Sequence, residues 1–395
     1  MLRRTVIVAT AVALLVAPAA AAVAAPSGDE LQAKLDAVVE AGMPGAFAEV
    51  RDGRRVWSPT AGVIDVRSGR PVRDGLRHRV GSITKTFVAT TMLQLAGERK
   101  VALDAPIGRY LSRRLVPAAV GGRVTVRMLL NHTSGIGDFD TELLRSAEDI
   151  VQIGRTTYTP EQLARIGLGA APTTGWSYSN TNYVLAGLII EKVTGHSYRA
   201  EVSRRILRPL GLADTYFEGS DPTIRGPHMH AYVPWPPDGE PRDFTRYNMS
   251  WLYGAGEMVS TAADLNVFYR ALLTGKLLSP ALLAEMKTTV PSDPANPGVS
   301  GYGLGLYWIQ LPGGRVWGHD GGVIGHQTVS WHTEDGKRQM TYAQSMSFYQ
   351  TPGVTHPIDI AAARFWVASF SDATTAERST TTARSTTDLS RHLVG

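Results

Sequence analysis

Strand patterns cluster at the two ends of this chain and helical patterns fill the middle, which predicts one sheet shared by both ends with helices on or beside it. Near the start, Ala46 to Arg51 reads as extended, meets the tight-turn pair Asp52-Gly53, and returns through Arg54 to Ser58. Near the end, His326 to Thr333 and Lys337 to Ser345 flank Glu334-Asp335-Gly336 and predict a second hairpin. A helix is expected before the first hairpin. Ser27-Gly28-Asp29-Glu30 has the S-x-x-E form of a capping box, Leu31, Leu35, Val38 and Val39 follow at helical spacing, and Gly42 is placed to stop it. Another helix is expected over Ile358 to Phe370. Between Gly81 and Lys287 helical patterns alternate with Gly and Pro loops, and no internal repeat is present. The expected class is α+β: an antiparallel sheet built from N- and C-terminal segments with helices packed on it, plus a mostly helical subdomain over about 100–240.

At 395 residues, 43% hydrophobic and 19% charged, the chain is too large and apolar to be a solvated tail or a coiled-coil rod. It has no cysteine, which excludes disulfide frameworks, thiolate zinc sites and cysteine nucleophiles together. The formal charge of +5 includes Arg3 and Arg4, and the other basic residues are scattered, so no nucleic-acid partner is indicated. Residues 1–24 read as a signal peptide: Arg3 and Arg4, an apolar stretch from Thr5 to Val16, then Ala22-Val23-Ala24 as an A-x-A cleavage site. The protein is therefore expected to be secreted. No later apolar run approaches about 18 residues, so no stable membrane insertion is expected. Ser371 to Ser390 is rich in Ser, Thr and Ala without an apolar period; 371–395 is read as a disordered tail, and function is placed within 25–370.

Three short segments carry chemistry. Gly81-Ser82-Ile83-Thr84-Lys85 opens an apolar-periodic run with Phe87, Val88, Met92 and Leu95. At i and i+3 on a helix, Ser82 and Lys85 project from one face within reach of each other, and apolar neighbours that desolvate Lys85 would let its amine act as a base. The same pattern also suits an N-capping serine with a surface lysine. Tyr178-Ser179-Asn180 lies in a loop after Pro172 and Gly175, ahead of a helical run from Thr181 to Thr194. In extended backbone Tyr178 and Asn180 face the same side, where a phenol can relay a proton and an amide can hold a carbonyl. Taken alone, an aromatic core residue followed by an Asn helix cap is the better reading. Gly318-His319-Asp320-Gly321-Gly322 precedes the strand of the second hairpin; small residues there let a substrate approach a sheet edge, and their N–H groups can face an oxyanion. A plain Gly-rich turn is the alternative.

In this order and spacing, S-x-x-K, Y-x-N and a late basic-x-Gly triad resemble the penicillin-recognising serine hydrolases, the β-lactamase/transpeptidase-like superfamily, in which the three elements line one cleft. Tyr178-Ser179-Asn180 and His319 resemble the branch of class C β-lactamases, soluble D-alanyl-D-alanine carboxypeptidases and family VIII esterases. Leu129-Leu130-Asn131-His132-Thr133-Ser134-Gly135, Pro209 to Thr215 and Ala255 to Leu273 fit that branch too, and the resemblance spans about 30–370. It implies that Ser82 is the acylated nucleophile, Lys85 its base or proton relay, and Tyr178 the group that protonates the leaving group and activates water. It further implies that Asn180, with His319, Asp320 and Gly321, binds substrate, and that the backbone N–H groups of Ser82 and Gly322 form the oxyanion hole. No step requires a metal or cofactor. His228 and His230 read as a loop pair, His132 as structural, and Trp235, Trp251 and Tyr253 as packing residues in a Pro- and Gly-rich loop.

One position departs from the family pattern. The middle residue of the third motif is usually Thr, which helps to hold a substrate carboxylate, and here it is Asp320. Two carboxylates repel, so unless Asp320 is neutralised by an arginine or points away, recognition of a free carboxylate is weakened. Gly303 to Gln310 offers no basic residue for that task, leaving Arg315 as the candidate. The first expectation is a secreted D-alanyl-D-alanine carboxypeptidase acting through an acyl-enzyme, with peptidoglycan stem peptides and β-lactams as partners. The alternatives are an esterase or D-aminopeptidase-like amidase, favoured by Asp320, a class C-like β-lactamase, and, from another class, a non-catalytic penicillin-binding module. Oligomeric state is not predicted.

Overall fold

The computed structural model describes residues 27–236, 238–351 and 353–371. The leader at 1–24 and, apart from Ser371, the tail at 371–395 lie outside these residues. α1 (Gly28–Glu40) begins where Ser27 Oγ accepts the Glu30 N–H at 3.1 Å, and it buries Leu31, Leu35 and Val38. β1 (Gly45–Asp52) and β2 (Arg55–Trp57) form the first hairpin, followed by β3 (Thr60–Asp65) and β4 (Arg70–Pro71). The three longest helices of the middle are α2 (Thr84–Gly97), α3 (Asn180–Thr194) and α4 (Ala262–Leu273). Then come β5 (Val290–Pro291), β6 (Ser300–Tyr302), β7 (Tyr307–Leu311), β8 (Gly314–Val323), β9 (His326–His332), β10 (Arg338–Gln344) and α5 (Pro357–Phe370).

The main sheet runs β5-β6-β7-β8-β9-β10-β1-β3-β4, with β2 also on β1, and all of its pairings are antiparallel. Its two ends of chain meet at β1 and β10, in register from Ala46 opposite Gln344 to Asp52 opposite Arg338. One face is apolar: Val329 and Trp331 of β9 with Met340 and Tyr342 of β10 pack under Leu31 and Leu35 of α1 and Phe365 of α5. The other face is polar, and alternation alone would leave it in water. It is buried instead, because α4 crosses it and satisfies it: Asn266 Oδ1 accepts from Thr341 Oγ1 at 2.8 Å and its carbonyl accepts from Gln339 Nε2 at 2.6 Å.

α2 is buried on nearly every side. Phe87 stacks on Phe268 of α4 with centroids 3.6 Å apart, and since each fully buried Leu or Phe is worth about 1.5–3 kcal/mol, Phe87, Leu93 and Leu95 anchor the helix firmly. Its entry is pinned by a three-stranded sheet of His78–Arg79, Met258–Ser260 and Tyr216–Phe217, with Val80 N–H donating to the Met258 carbonyl at 2.9 Å. The Pro-rich segment read as loop contains a further ribbon, Tyr232–Trp235 against Glu240–Asp243. Pro234 faces Pro241 there, and a two-stranded ribbon tolerates the missing donors because both strands are edges. Trp251 and Tyr253 are buried, as packing residues are.

Candidate active site

Ser82 sits in a single 3-10 turn, Gly81–Ile83, that runs directly into α2, so the i, i+3 spacing brings its half-buried hydroxyl over Lys85. Lys85 is fully buried, and its Nζ is 2.9 Å from Ser82 Oγ, 2.6 Å from Asn180 Oδ1 and 2.9 Å from the Ala255 carbonyl. Asn180 Oδ1 and the carbonyl can only accept, so they take two of the amine's N–H groups. The remaining tetrahedral position faces Ser82. When Lys85 is neutral that position is a lone pair aimed at the serine hydroxyl. Burial pushes the amine down to about 7, against the opposing pull of Asp138, Asp140 and Asp320, so the neutral form is accessible near neutrality.

The Tyr178 hydroxyl is hydrogen-bonded to Ser82, and the Lys85 ammonium position lies 4.7 Å from its ring centroid. Burial drives the phenol well above its usual range, with Asp320 adding to the shift and the Ser82 bond opposing it. Tyr178 is thus a proton donor in the resting site rather than a phenolate. Asn180 is not in the loop, as its spacing suggested, but is the first residue of α3; Ser179 stays extended at φ −148° and ψ 120° and turns its hydroxyl to the Gly137 carbonyl instead of capping. Two carboxylates that sequence reasoning missed hold Asn180. Asp138 accepts from its backbone N–H at 3.0 Å and its Nδ2 at 3.2 Å, and Asp140 accepts from Nδ2 at 2.7 Å. This fixes the amide with Oδ1 toward Lys85. Burial raises Asp138 to about 6, and burial together with the Asp138 charge holds Asp140 well above the usual carboxylate range. The signal available was Gly137-Asp138-Phe139-Asp140, one residue beyond the His132-Thr133-Ser134-Gly135 stretch.

The third motif is itself strand, not a segment before one: His319 to Gly322 lie within β8, paired with β9. The two-residue turn closed by Val323 and His326 makes that pair hydrogen-bonded, so the next pair, Gly322 with Gln327, turns the Gly322 N–H away from β9. It points toward Gly81, where a Cβ would lie 2.7 Å from Gly322 N. β8 therefore passes so close to Ser82 that only glycine fits. A Cβ on Gly321 would sit 2.0 Å from the Val80 carbonyl oxygen and 2.8 Å from Ser82 N, both backbone atoms unable to swing aside. Gly321→Ala is expected to weaken folding by about 1–3 kcal/mol. By separating the Ser82 and Gly322 N–H groups, it should also cut ester turnover by about 10²-fold. A denaturation curve beside a rate assay checks both, and full activity would show that the two amides do not act together.

Asp320 does not point away. It is buried, accepts from Tyr307 Oη at 2.7 Å and lies 3.5 Å from His319 Nδ1, and its charge acts on both Lys85 and Tyr178. Arg315, the proposed carboxylate holder, stacks on Trp308 at 3.8 Å. His132, at φ 61°, stacks on Tyr178 with centroids 4.2 Å apart and accepts the Ser179 N–H at 3.1 Å, so it shapes the loop that carries the second motif. His228 and His230 stack at 5.9 Å, and His230 bonds Asp243.

A serine hydroxyl facing a neutral amine, with a phenol on its other side and two amide donors beside it, is equipped for acyl transfer, and fold and site together define a serine hydrolase. The chain belongs to the beta-lactamase family, whose profile matches residues 28–365. Esterase EstB of Burkholderia gladioli is 36% identical over 208 residues, which cover 49% of this chain and 53% of the esterase, so the chain spans about half of that relative's length. The D-stereospecific amidohydrolase from Streptomyces sp. superposes with a TM-score of 0.73 at 39% identity over 81% of this chain and 95% of that one. The D-amino acid amidase from Ochrobactrum anthropi, complexed with D-phenylalanine, gives 0.72 at 26% identity over 86% and 97%.

Proposed function

We propose that this chain is an exported amidohydrolase that forms an acyl-enzyme on Ser82 and cleaves amides and esters of D-amino acids whose amino group is free. The observation that carries this reading is Asp320, a buried carboxylate in the third motif beside the Ser82, Lys85 and Tyr178 cluster. A substrate ammonium is attracted there and a substrate carboxylate is repelled. The likeness to a D-stereospecific amidohydrolase and a D-amino acid amidase supports the D configuration. Export rests on the pattern of residues 1–24.

In the proposed reaction Lys85 Nζ takes the proton from Ser82 Oγ as the oxygen attacks the substrate carbonyl. The N–H groups of Ser82 and Gly322 receive the developing oxyanion. As the tetrahedral adduct collapses, Tyr178 donates its proton to the leaving nitrogen and is reprotonated from Lys85, which returns the site to its resting charge. Water then attacks the ester by the reverse sequence, releasing the acid and restoring Ser82. Asn180 orients the scissile group and, through Oδ1, the amine of Lys85.

The D-alanyl-D-alanine carboxypeptidase expected first from the motifs is the second reading, favoured by the predicted export beside cell-wall peptide. The two separate in one experiment: kcat/KM for D-phenylalanine amide against an N-acylated D-alanyl-D-alanine peptide, in the parent and in Asp320→Thr. The parent is expected to prefer the amide, and Asp320→Thr to shift the ratio toward the peptide by about tenfold or more, one pKa unit's worth of differential charge interaction. A parent that prefers the peptide would reject the amidohydrolase reading in favour of the carboxypeptidase.

A further inference from the structure

One of the two acceptors that aim Lys85 at Ser82 is a backbone group, the Ala255 carbonyl at 2.9 Å, so its place depends on what holds the turn around it. That turn, Gly254 to Glu257, leads into the strand Met258–Ser260. The Ala255 and Gly256 N–H groups both donate to the Leu252 carbonyl, at 2.9 and 2.8 Å. Gly254 sits at φ 68°, and a Cβ there would lie 2.7 Å from the Tyr183 carbonyl oxygen, so α3 backs the turn closely. Its two ends are tied by Tyr198, fully buried in the short helix Tyr198–Val202. Gly254 N–H donates to Tyr198 Oη at 3.0 Å, and the phenol donates to Glu257 Oε1. A backbone N–H can only give and a carboxylate can only accept, so the direction of this bridge is fixed. Glu257 is fully buried and is held in turn by Arg199, whose Nε reaches Oε1 at 2.9 Å and whose Nη2 reaches Oε2 at 2.7 Å.

We propose that Tyr198, fixed by the Glu257–Arg199 ion pair, is a positioning residue for the general base: its hydroxyl ties Gly254 to Glu257 and so holds the Ala255 carbonyl against Lys85 Nζ. This rests on Lys85 acting as the base, as proposed above. The titratable groups about Glu257 are Tyr198 and Arg199 of the helix, Tyr253 before the turn and Glu218 beside it; about Lys85 they are Asp138, Asp140, Asp320, Tyr178 and Tyr183. Tyr198→Phe keeps the ring that packs on Tyr253 and Phe217, at 4.7 and 5.4 Å between centroids, and deletes the bridging oxygen. The Gly254 N–H is then left buried without its acceptor, and the turn shifts to satisfy it, drawing the Ala255 carbonyl off Nζ. With one acceptor gone, the neutral amine turns about Cε–Nζ and its lone pair faces Ser82 for less of the time, which slows acylation without touching substrate binding. A hydrogen bond from a charged donor is the stronger kind, so losing the carbonyl costs the ammonium more than the neutral amine and moves Lys85 further down. Simple loosening of the fold would do the reverse, because water admitted beside Nζ favours the ammonium.

Turnover of a nitrophenyl ester by the full chain tests this. In Tyr198→Phe, kcat should fall about tenfold with KM within about twofold, and the rising limb of kcat/KM should move to lower pH by about one pH unit. A limb that stays in place or moves to higher pH overturns the proposal. Should that variant not fold, Arg199 decides: Arg199→Lys, which keeps a cation on Glu257, should retain more of kcat than Arg199→Met, and equal losses in the two overturn the proposal. Carbon-13 NMR of the lysine Cε atoms across pH, with Lys85 assigned by its absence in Lys85→Met, reads the amine without substrate. Its midpoint should be lower in Tyr198→Phe than in the parent, and an equal or higher midpoint overturns the proposal. A parent whose ester rate shows no limb at that midpoint would fail the assignment of Lys85 as base, while the NMR shift still decides whether Tyr198 sets the amine.

Discussion

Replacing Ser82 with Ala is expected to reduce turnover of amide and ester substrates by about 10³-fold or more, because no other group in the cleft can form the acyl bond. Lys85 has no access to substrate past Ser82: it is fully buried, with its three hydrogen-bonding positions taken by Ser82, Asn180 and Ala255. The substitution deletes one oxygen from a half-buried turn, so folding stability should change by no more than about 1 kcal/mol. A rate assay and a denaturation curve on the same preparation separate chemistry from folding. Mass spectrometry after exposure to a penicillin adds a direct check, with an adduct on the parent at Ser82 and none on the variant. Turnover near the parent's would remove Ser82 from the mechanism.

Lys85→Met should cost about 10²- to 10⁴-fold in kcat/KM, the range of a general base. It should also erase a limb of the pH profile. Burial places the amine near 7, and only the neutral amine can take the Ser82 proton, so kcat/KM of the parent should rise with pH and level off above about 7. Tyr178 is held far above that range, so no second rising limb from a phenolate is expected. The variant's profile should be flat across the same interval; a parent profile without a rise through that range would assign the base elsewhere. The same burial has a consequence for stability. The folded-state value lies below the ordinary 10.5, so the folded form is penalised as pH falls from about 10.5 toward 7, with the full penalty below 7. The melting temperature of Lys85→Met relative to the parent should therefore improve as pH is lowered over that interval.

Much of the architecture was legible because it is written in local patterns. The hairpin at Asp52-Gly53, the second hairpin about Glu334 to Gly336 and the helix ending at Phe370 each rest on spacing within one element, and each forms where its pattern lies. The Ser82 and Lys85 pairing was legible for the same reason, since i and i+3 on one helical turn meet whatever surrounds them. The Pro-rich ribbon at Tyr232–Trp235 was not, since a strand is marked by period-2 alternation without proline and this one contains Pro234. Asn180 was misplaced in the loop because the turn from extended backbone into α3 is set by Asp138 taking its N–H, a partner 42 residues away.

The residue types at Ser82, Lys85, Tyr178 and Asn180 carry the reactive groups wherever they are put, and helical or strand spacing brings neighbours in the chain together without help from the rest of the protein. What the amine of Lys85 does is decided elsewhere, by Asn180 and Ala255, which reach it from 95 and 170 residues along the chain. Tyr302 likewise meets His132 and His319, which come from different segments. Charge and proton position respond to distance through space and to the exclusion of water, and neither quantity exists until the chain has closed on itself.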